Sequence, residues 1–354
     1  SKEFKEYFKE KKFVTFEHDG DESDNSIDKV FNKKRANDRK DWLGQYDGSL
    51  YLDTDKPSVK YEEFIDREMI HFSKYDNDRS IPNMMDGLKM SLRKILFSAF
   101  KRNLTKEIKV AQFSGYVSEH SGYHHGEASL NGAIVGMAQN FVGSNNINLL
   151  RPNGQFGTRL AGGKDSASER YIFTQLETIT RKIFIPADDK ILNYRDDDGD
   201  IVEPVYYAPI IPMILVNGAL GIGTGFSTQI LCYNPKDIIT TLKQRLTRKE
   251  GETLDTSWGS DLMPYYRGFT GSIKKMTDGR FLIKGVYKRD KGDMIHVTEL
   301  PVGCWTDDFK QHLENLMDAK SGKNKKVVIR DYDDMSTDVT VSFKIKFTTG
   351  TVNE

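Results

Sequence analysis

Tyr171, which directly follows Arg170 in the segment SASERYIF, is the side chain whose neighbours best suit a nucleophile. A free tyrosine has a pKa of about 10, so at neutral pH it needs a base or nearby cations that stabilise the phenolate. Arg170 and Arg159 supply guanidinium groups, which bind phosphate oxygens well. The residues therefore suggest attack on a phosphate; the alternative is that Tyr171 is a half-buried aromatic residue with no chemical role.

We predict that Tyr171 lies in the first turn of a helix. Ser166 and Glu169 have the S-x-x-E spacing of a capping box. An apolar stripe follows at helical spacing, namely Ile172, Leu176, Ile179 and Ile183. Because helix N-termini attract negative charge, this position would favour both a phosphate and a phenolate.

His124 and His125 in the segment YHHGE could provide the base or a hydrogen bond to the phosphate, since histidine titrates near neutral pH. Adjacent side chains in regular structure cannot both face one site. A metal site is the weaker interpretation, because the sequence has neither HExxH nor a Cys/His quartet. Purely structural histidines remain an alternative.

The glycine and aspartate clusters do not form nucleotide or metal sites. AGGKDS has Asp165 where a P-loop needs Ser or Thr, and GALGIGTGF has Phe226 where GxGxxG needs its last glycine. DDDGD lacks the glutamate of a calcium loop, and the acidic run Asp19 to Asp24 suits a solvated loop. We therefore expect no metal ligand in this chain.

Charge is balanced overall, with 52 basic and 52 acidic residues, but it is unevenly distributed. The stretch from Lys89 to Lys109 holds seven basic residues and one acidic residue, which indicates a positive surface.

No apolar run approaches the roughly 20 residues that a membrane span needs, so we expect no membrane partner. The start of the chain lacks the apolar core of a signal peptide, and the two distant cysteines favour a reducing compartment.

The chain of 354 residues is long enough for two or more domains, and its patterns predict an α+β protein. Residues 1–58 are polar, with an exposed loop HDGDESDNS between two helical pieces. Residues 59–203 form helices: one from Asn83 with a basic outer side, one in EASLNGAIVGMAQNF, and the one at Tyr171. This order suits a winged helix-turn-helix (CAP-like) domain. Residues 204–354 show short β-like runs, among them YYAPIIPMILVNGA and VTVSFKIKF, interrupted by a helix from Thr306 to about Met317.

Five segments together resemble the breakage-reunion region of eukaryotic-type DNA topoisomerase II. They are RSIPNMMDGLKMSLRKIL, KVAQFSGYVSEHSGYHHGE, QNFVGSNNINLLRPNGQFGTR, GGKDSASERYIFT and PMILVNGALGIGTGFST. The resemblance extends from KKRANDRKDWLGQYD, similar to the family's link out of its TOPRIM domain, to LPVGCWT, similar to its tower domain. It implies a tail end of the TOPRIM region over 1–58, the cleavage domain over 59–203 and an incomplete mixed α/β tower domain over 204–354.

The resemblance also implies roles for individual residues. Tyr171 would form a 5′-phosphotyrosyl bond with DNA, Arg170 would stabilise the transition state, and His125 would contact the scissile phosphate region. Ile222 would be the wedge inserted between base pairs, whereas on its own it would be interpreted as a buried strand residue. The other residues expected to contact DNA are Arg79, Lys89, Arg93, Lys94, His124, Arg159 and Lys164.

The cofactors and partners that the resemblance implies lie mostly outside this chain. Magnesium would be bound by the TOPRIM domain and ATP by the ATPase domain, so the chain is expected to be a fragment. The partners would be double-stranded DNA, a second copy in a homodimer, and the TOPRIM and ATPase domains of the same polypeptide. The compartment would be the nucleus or the replication site of a large DNA virus. Met90 and Leu220 stand where the family commonly has proline and an acidic residue.

Two other functions remain open from the sequence. A non-catalytic winged-helix DNA-binding module would need only the basic helix near Lys94. A tyrosine recombinase or relaxase would need a different set of Arg and His residues, which this order of motifs does not supply.

Overall fold

The computed structural model describes residues 2–9, 14–53, 55–247, 262–317 and 328–349. The chain divides into two compact units: Ser1–Pro82 with Leu220–Gln229, and Asn83–Ala219 with Ile230–Glu354. This division differs from the boundaries at 58 and 203 that the sequence suggested. In the part of the chain that the structure describes, no helix combines the length and the apolar character needed to cross a membrane.

The helices are α1 (Lys2–Lys9), α2 (Gly20–Phe31), α3 (Ala36–Gly44), α4 (Tyr61–Phe64), α5 (Ile70–Ser80), α6 (Met90–Lys101), α7 (Val110–Ser121), α8 (Glu127–Ala138), α9 (Thr180–Ile183), α10 (Met213–Val216), α11 (Pro235–Leu246) and α12 (Thr306–Met317). A π turn, Ile65–Met69, joins α4 to α5, and 3₁₀ turns cover Lys33–Arg35, Pro186–Lys190 and Thr277–Gly279.

The strands are β1 (Thr15–Glu17), β2 (Ser58–Lys60), β3 (Ile108–Lys109), β4 (Phe173–Thr174), β5 (Tyr194–Asp197), β6 (Asp200–Pro204), β7 (Ala219–Gly223), β8 (Phe226–Ile230), β9 (Ser272–Lys275), β10 (Phe281–Lys284), β11 (Val286–Arg289), β12 (Met294–Glu299), β13 (Ile329–Asp334) and β14 (Phe343–Phe347).

In the first unit, α2 occupies much of the segment for which an exposed loop was predicted, so that prediction was wrong. Asp21 and Glu22 lie in the first turn of α2, where acidic side chains interact favourably with the helix dipole. Ser23, Ser26 and Val30 form its buried side. Polar residues therefore form the outer side of this helix and, through two small serines, part of its buried side as well.

In the second unit, α6, α7 and α8 surround a common core that includes Ile95, Phe113 and Ile134. Helix α7 ends at Gly122, whose φ of 58° is the left-handed conformation that glycine adopts without steric penalty. Strand β3 pairs antiparallel with β4, and Asn153 bridges Phe173 on its other side. Three helices and a small sheet confirm the predicted winged helix-turn-helix fold.

The helix predicted around Tyr171 is absent from the described structure. Residues 168–171 form a turn, Phe173 and Thr174 form β4, and helix appears only in the short α9. Ile172, Leu176 and Ile183 are buried as the apolar spacing suggested, but Ile179 is exposed. Backbone pairing with residues 108–109 and 150–153 is available to this segment, and that pairing overrides the local helical pattern.

The remainder of the second unit contains a four-stranded antiparallel sheet in the order β11-β12-β14-β13. Helix α12 buries Leu313 in a core shared with Phe343 and Ile345 of β14. The predicted strands in this region and the helix from Thr306 to Met317 are confirmed. The run YYAPIIPMILVNGA was wrongly interpreted as β-like: it contains α10, because proline cannot donate to a strand ladder but is tolerated beside a helix start. Helix α11 was not predicted.

Candidate active site

Tyr171 lies on the turn that precedes β4, with its backbone fixed on both sides. The Val110 N–H donates to the Ile172 carbonyl (3.0 Å), and the Ala111 N–H donates to the Glu169 carbonyl (3.1 Å). Ile172 is only 1% exposed, whereas Tyr171 is 72% exposed. The phenol is therefore held out in solvent by a backbone that is anchored to the start of α7.

Arg170 accompanies Tyr171 on this turn. Its guanidinium carbon lies 5.8 Å from the centre of the Tyr171 ring, and its Nε contacts Ser168 Oγ at 3.5 Å. Arg170 is exposed and has no carboxylate partner among the described residues. The structure thus brings together the predicted nucleophile and cation, but on a turn, so Tyr171 does not lie in the first turn of a helix as predicted.

The two histidines lie in the turn between α7 and α8 and have different surroundings. His125 is half-buried, and its ring meets the Tyr123 ring edge-on at 5.3 Å. The His124 side chain is 80% exposed, with Nε2 3.6 Å from Asp197 Oδ2 of the β5–β6 hairpin. The sequence-based expectation that adjacent histidines do not share one site agrees with this arrangement.

Arg93 and Lys94 do not form a basic outer side on α6, so this part of the prediction was wrong. Arg93 is buried in a two-pronged ion pair with Asp86, at 2.7 and 3.0 Å. Lys94 is buried too: its Nζ lies 2.7 Å from Glu203 Oε2 and also donates to the Ser121 carbonyl. Both cations are neutralised inside the second unit, which argues against the predicted contacts with DNA phosphates.

Arg159 is also buried, in an ion pair with Glu299. The other oxygen of Glu299 accepts from the N–H (3.2 Å) and the hydroxyl (3.0 Å) of Thr270. The charge of Arg159 is thus satisfied within the protein, which argues against the predicted contact with DNA. Lys164 is exposed, and Lys89 is half-buried at the start of α6; both remain available to an external anion.

Ile222 projects from the β7–β8 hairpin and is 73% exposed, so it is not the buried strand residue that its apolar character could suggest. Gly221 and Gly223 face the end of α5. A Cβ at Gly221 would lie 2.7 Å from the Ser80 carbonyl oxygen, and one at Gly223 would lie 2.5 Å from Asn77 Oδ1. The glycines let the hairpin approach α5 closely while the intervening Ile222 points away.

Leu220, which the sequence-based assignment of functional residues did not include, is a second exposed apolar residue of this hairpin. It is exposed, and it lies two residues before Ile222 on β7, so both side chains project from the same face of the strand. The period-two spacing of two apolar residues around Gly221 was the signal that could have identified it.

The hairpin is fixed to α5 by polar contacts within the first unit. Asp76 Oδ2 accepts from the N–H (2.7 Å) and the hydroxyl (2.8 Å) of Thr224. These hydrogen bonds, the hydroxyl's first, lower the pKa of Asp76 below its ordinary value, and the charge of nearby Arg79 acts in the same direction. Arg79 itself is half-buried near the end of α5.

Asp19, Glu22 and Glu62 are the one group of three potential metal ligands among the described residues. They belong to the first unit, whereas Tyr171 belongs to the second. Asp19 forms an ion pair with Lys60, and Glu62 accepts from Ser23 Oγ at 2.8 Å. Asp19 and one oxygen of Glu62 therefore already have protein partners, whereas Glu62 Oε1 is buried without a hydrogen-bond partner among the described residues.

Comparison with known proteins identifies the family. Residues 79–354 match the A-subunit family of DNA gyrase/topoisomerase IV, and residues 1–77 match the C-terminal associated domain of TOPRIM. The chain is 46% identical to DNA topoisomerase 2 of Drosophila melanogaster over 99% of its own length and 24% of the relative's. It is 50% identical to the probable DNA topoisomerase 2 of Dictyostelium discoideum, over 89% of its own length and 21% of the relative's.

A solved structure agrees with these matches. The crystal structure of the Plasmodium falciparum topoisomerase II DNA-binding, cleavage and re-ligation domain superposes with a TM-score of 0.81 at 44% identity, covering 99% of this chain and 47% of that one. The chain spans about a quarter of the length of the curated relatives it matches. The resemblance seen in the sequence is confirmed, and the chain belongs to the A-subunit family of DNA gyrase/topoisomerase IV.

Proposed function

We propose that this chain is the DNA-binding and cleavage core of an ATP-dependent type IIA DNA topoisomerase, with Tyr171 as its nucleophile. The observation that carries the proposal is an exposed phenol on an anchored backbone beside a cation without a carboxylate partner among the described residues. The relatives' name, DNA topoisomerase 2, supports DNA as the substrate. Strand passage through a transient double-strand break would be the activity of the whole enzyme.

The chemistry is a transesterification at phosphorus. The Tyr171 oxygen bonds to the phosphorus, and the bond from phosphorus to the 3′ oxygen of the preceding nucleotide breaks. The phenol loses its proton to a base, for which His125 is the candidate, and the departing 3′ oxygen gains one. Arg170 stabilises the negative charge on the phosphoryl oxygens, a contribution that is often the largest in such reactions. Because one ester replaces another, religation is the reverse of the same step.

DNA binding would use the cations and histidine that remain accessible. Lys89, Lys164, Arg79 and His124 stay in the proposal as phosphate contacts, and Ile222 stays as the wedge between base pairs. Removing Arg93, Lys94 and Arg159 from this set leaves a smaller interface than the sequence suggested.

The cofactors of the whole enzyme would be magnesium, bound by the TOPRIM domain, and ATP, bound by the ATPase domain. We do not assign this magnesium to Asp19, Glu22 and Glu62, because Asp19 is already paired with Lys60 and one oxygen of Glu62 accepts from Ser23. We further propose that two copies form a homodimer in which each copy cuts one strand. The proposed location is the nucleus or the replication site of a large DNA virus.

The test is Tyr171→Phe in the full-length enzyme. The covalent protein–DNA adduct should disappear while DNA affinity stays nearly unchanged, because only the nucleophilic oxygen is lost. Tyr287→Phe is the matched control, since Tyr287 is a similarly exposed tyrosine of the same unit, and it should retain the adduct. An adduct that persists in Tyr171→Phe would refute the assignment. A wild-type enzyme that binds DNA without forming any adduct would instead favour the non-catalytic winged-helix module.

A further inference from the structure

A recess of about 650 Å³ lies beside the winged-helix sheet, in the connection between α6 and α7. Residues 102–109 line it, together with Gln112 and Phe173. Three of these side chains are cationic, namely Arg102, Lys106 and Lys109. The site described above does not use them.

The three cations have no carboxylate partner among the described residues. The Arg102 guanidinium lies 4.9 Å from the centre of the Tyr116 ring, and Lys109 Nζ lies 5.9 Å from the centre of the Phe173 ring. Aromatic faces position a cation without cancelling its charge. The recess therefore keeps a net positive charge on side chains that are partly positioned in advance.

Glu107 is the carboxylate that lines the recess, and it has another partner. Its Oε2 accepts from Asn153 Nδ2 at 3.1 Å. One acid against three bases leaves the lining positive by two charges, counting Arg102, Lys106 and Lys109 against Glu107. Because Arg93 and Lys94 are neutralised internally, the positive charge of the stretch from Lys89 to Lys109 is concentrated toward its end.

We propose that this recess binds backbone phosphates of the duplex on one flank of the phosphate that Tyr171 attacks. The proposal rests on the proposed function. Lys109 pairs with Phe173, which is two residues after Tyr171. Two residues span at most about 7 Å and a cross-strand Cα pair about 5.5 Å, so the Cα atoms of Lys109 and Tyr171 lie within roughly 13 Å.

That distance is compatible with contacts to one continuous DNA strand. Successive phosphates rise about 3.4 Å along the helix axis and are further apart through space because the strand winds around it, so long lysine side chains of the recess would meet phosphates a few nucleotides from the cleaved bond. Phosphates contacted there carry no sequence information, but they fix the register of the duplex on the protein. The recess would thus help to place the correct phosphate opposite Tyr171.

The experiment compares Lys106→Gln/Lys109→Gln with the control Lys182→Gln/Lys190→Gln in the full-length enzyme. All four lysines are exposed in the second unit, and the control pair lies outside the recess. Duplex affinity is measured against salt concentration. Each lost phosphate contact should reduce the slope of log affinity against log salt by about 0.9, so the recess variant should lose about 1.8 and the control nothing.

A second arm uses a shorter duplex that ends about two base pairs beyond the cleaved bond on the Lys109 side. On this probe the recess variant and the wild type should show equal slopes, because the phosphates that the recess would hold are missing. The proposal is overturned if the recess variant shows the wild-type slope of log affinity against log salt on the long duplex. That result is also the one expected if the recess binds an acidic protein and not DNA. A slope loss that persists on the short duplex also overturns it.

Failure of the recess proposal can be distinguished from failure of the proposed function. The recess variant retains Tyr171 and should still form the covalent adduct at saturating DNA. If the wild type forms no adduct, the proposed function fails, yet the slopes still report on the recess. If the double variant does not fold, as judged by circular dichroism, Lys106→Gln alone should reduce the slope by about 0.9.

Discussion

The substitution Ile222→Ala tests whether Ile222 acts as a DNA-bending wedge or as a core residue. The exposure of Ile222 in the structure sets the expected loss of stability. Complete burial of an isoleucine side chain is worth about 1.5–3 kcal/mol. Ile222 is 73% exposed, so about a quarter of its surface is covered. The truncation should therefore lower the free energy of unfolding by only about 0.4–0.8 kcal/mol. A core residue would cost about 2–5 kcal/mol.

The effect on DNA should be much larger than the effect on the fold. If Ile222 unstacks a base step, its loss removes an interaction that offsets a deformation of about a few kcal/mol, and the bend should decrease. The assay is fluorescence transfer between the two ends of a duplex bound to the full-length enzyme. Cleavage-site preference should also shift, because the cost of deformation depends on the step.

Ile191→Ala is the matched control, since Ile191 is a comparably exposed isoleucine of the second unit. It should leave both the melting temperature and the bend unchanged. A loss of more than about 2 kcal/mol in Ile222→Ala with an unchanged bend would refute the reasoning, because that magnitude belongs to a buried side chain.

Two further predictions concern buried and hydrogen-bonded charges. Lys94→Met should lower the free energy of unfolding by about 3–5 kcal/mol in urea denaturation, because Glu203 is left buried and unpaired; the exposed control Lys182→Met should change it by less than about 0.5 kcal/mol, and an equally small effect of Lys94→Met would contradict the buried pair. Because the pKa of Asp76 is lower in the folded protein than its ordinary value of 3.8, the ionised carboxylate stabilises the β7–β8 hairpin at pH values above 3.8. This contribution should be lost as the pH falls through the lower pKa of the folded protein. The protection of the Thr224 amide against hydrogen exchange, taken relative to the intrinsic rate at each pH, should fall in that acid range, and in Asp76→Asn it should already be lower at neutral pH. Wild-type protection that does not change with acidification would contradict the Asp76–Thr224 contact.

Local patterns in the sequence were sufficient for several elements and residues of the site. The spacing of apolar residues predicted the helices that became α6 and α8, and the limits of α12 were correct. Tyr171 and Arg170 are adjacent in the chain, so they share one turn whatever its conformation. Ile222 is an exception: its local pattern favoured a buried strand residue, only the family resemblance pointed to a protruding side chain, and it is exposed.

Contacts between distant parts of the chain decided the rest. Ile172 and Leu176 have helical spacing, but residues 108–109 and 150–153 pair with their segment and produce β4 and its bridges. Arg159 lies 140 residues before Glu299, and Lys94 lies 109 residues before Glu203. A basic residue in the sequence has the same charge whether it faces solvent or a buried carboxylate. Only the folded chain shows which cations are already neutralised and which, as in the recess of Lys106 and Lys109, can still bind an external anion, because neutralisation depends on distances in space.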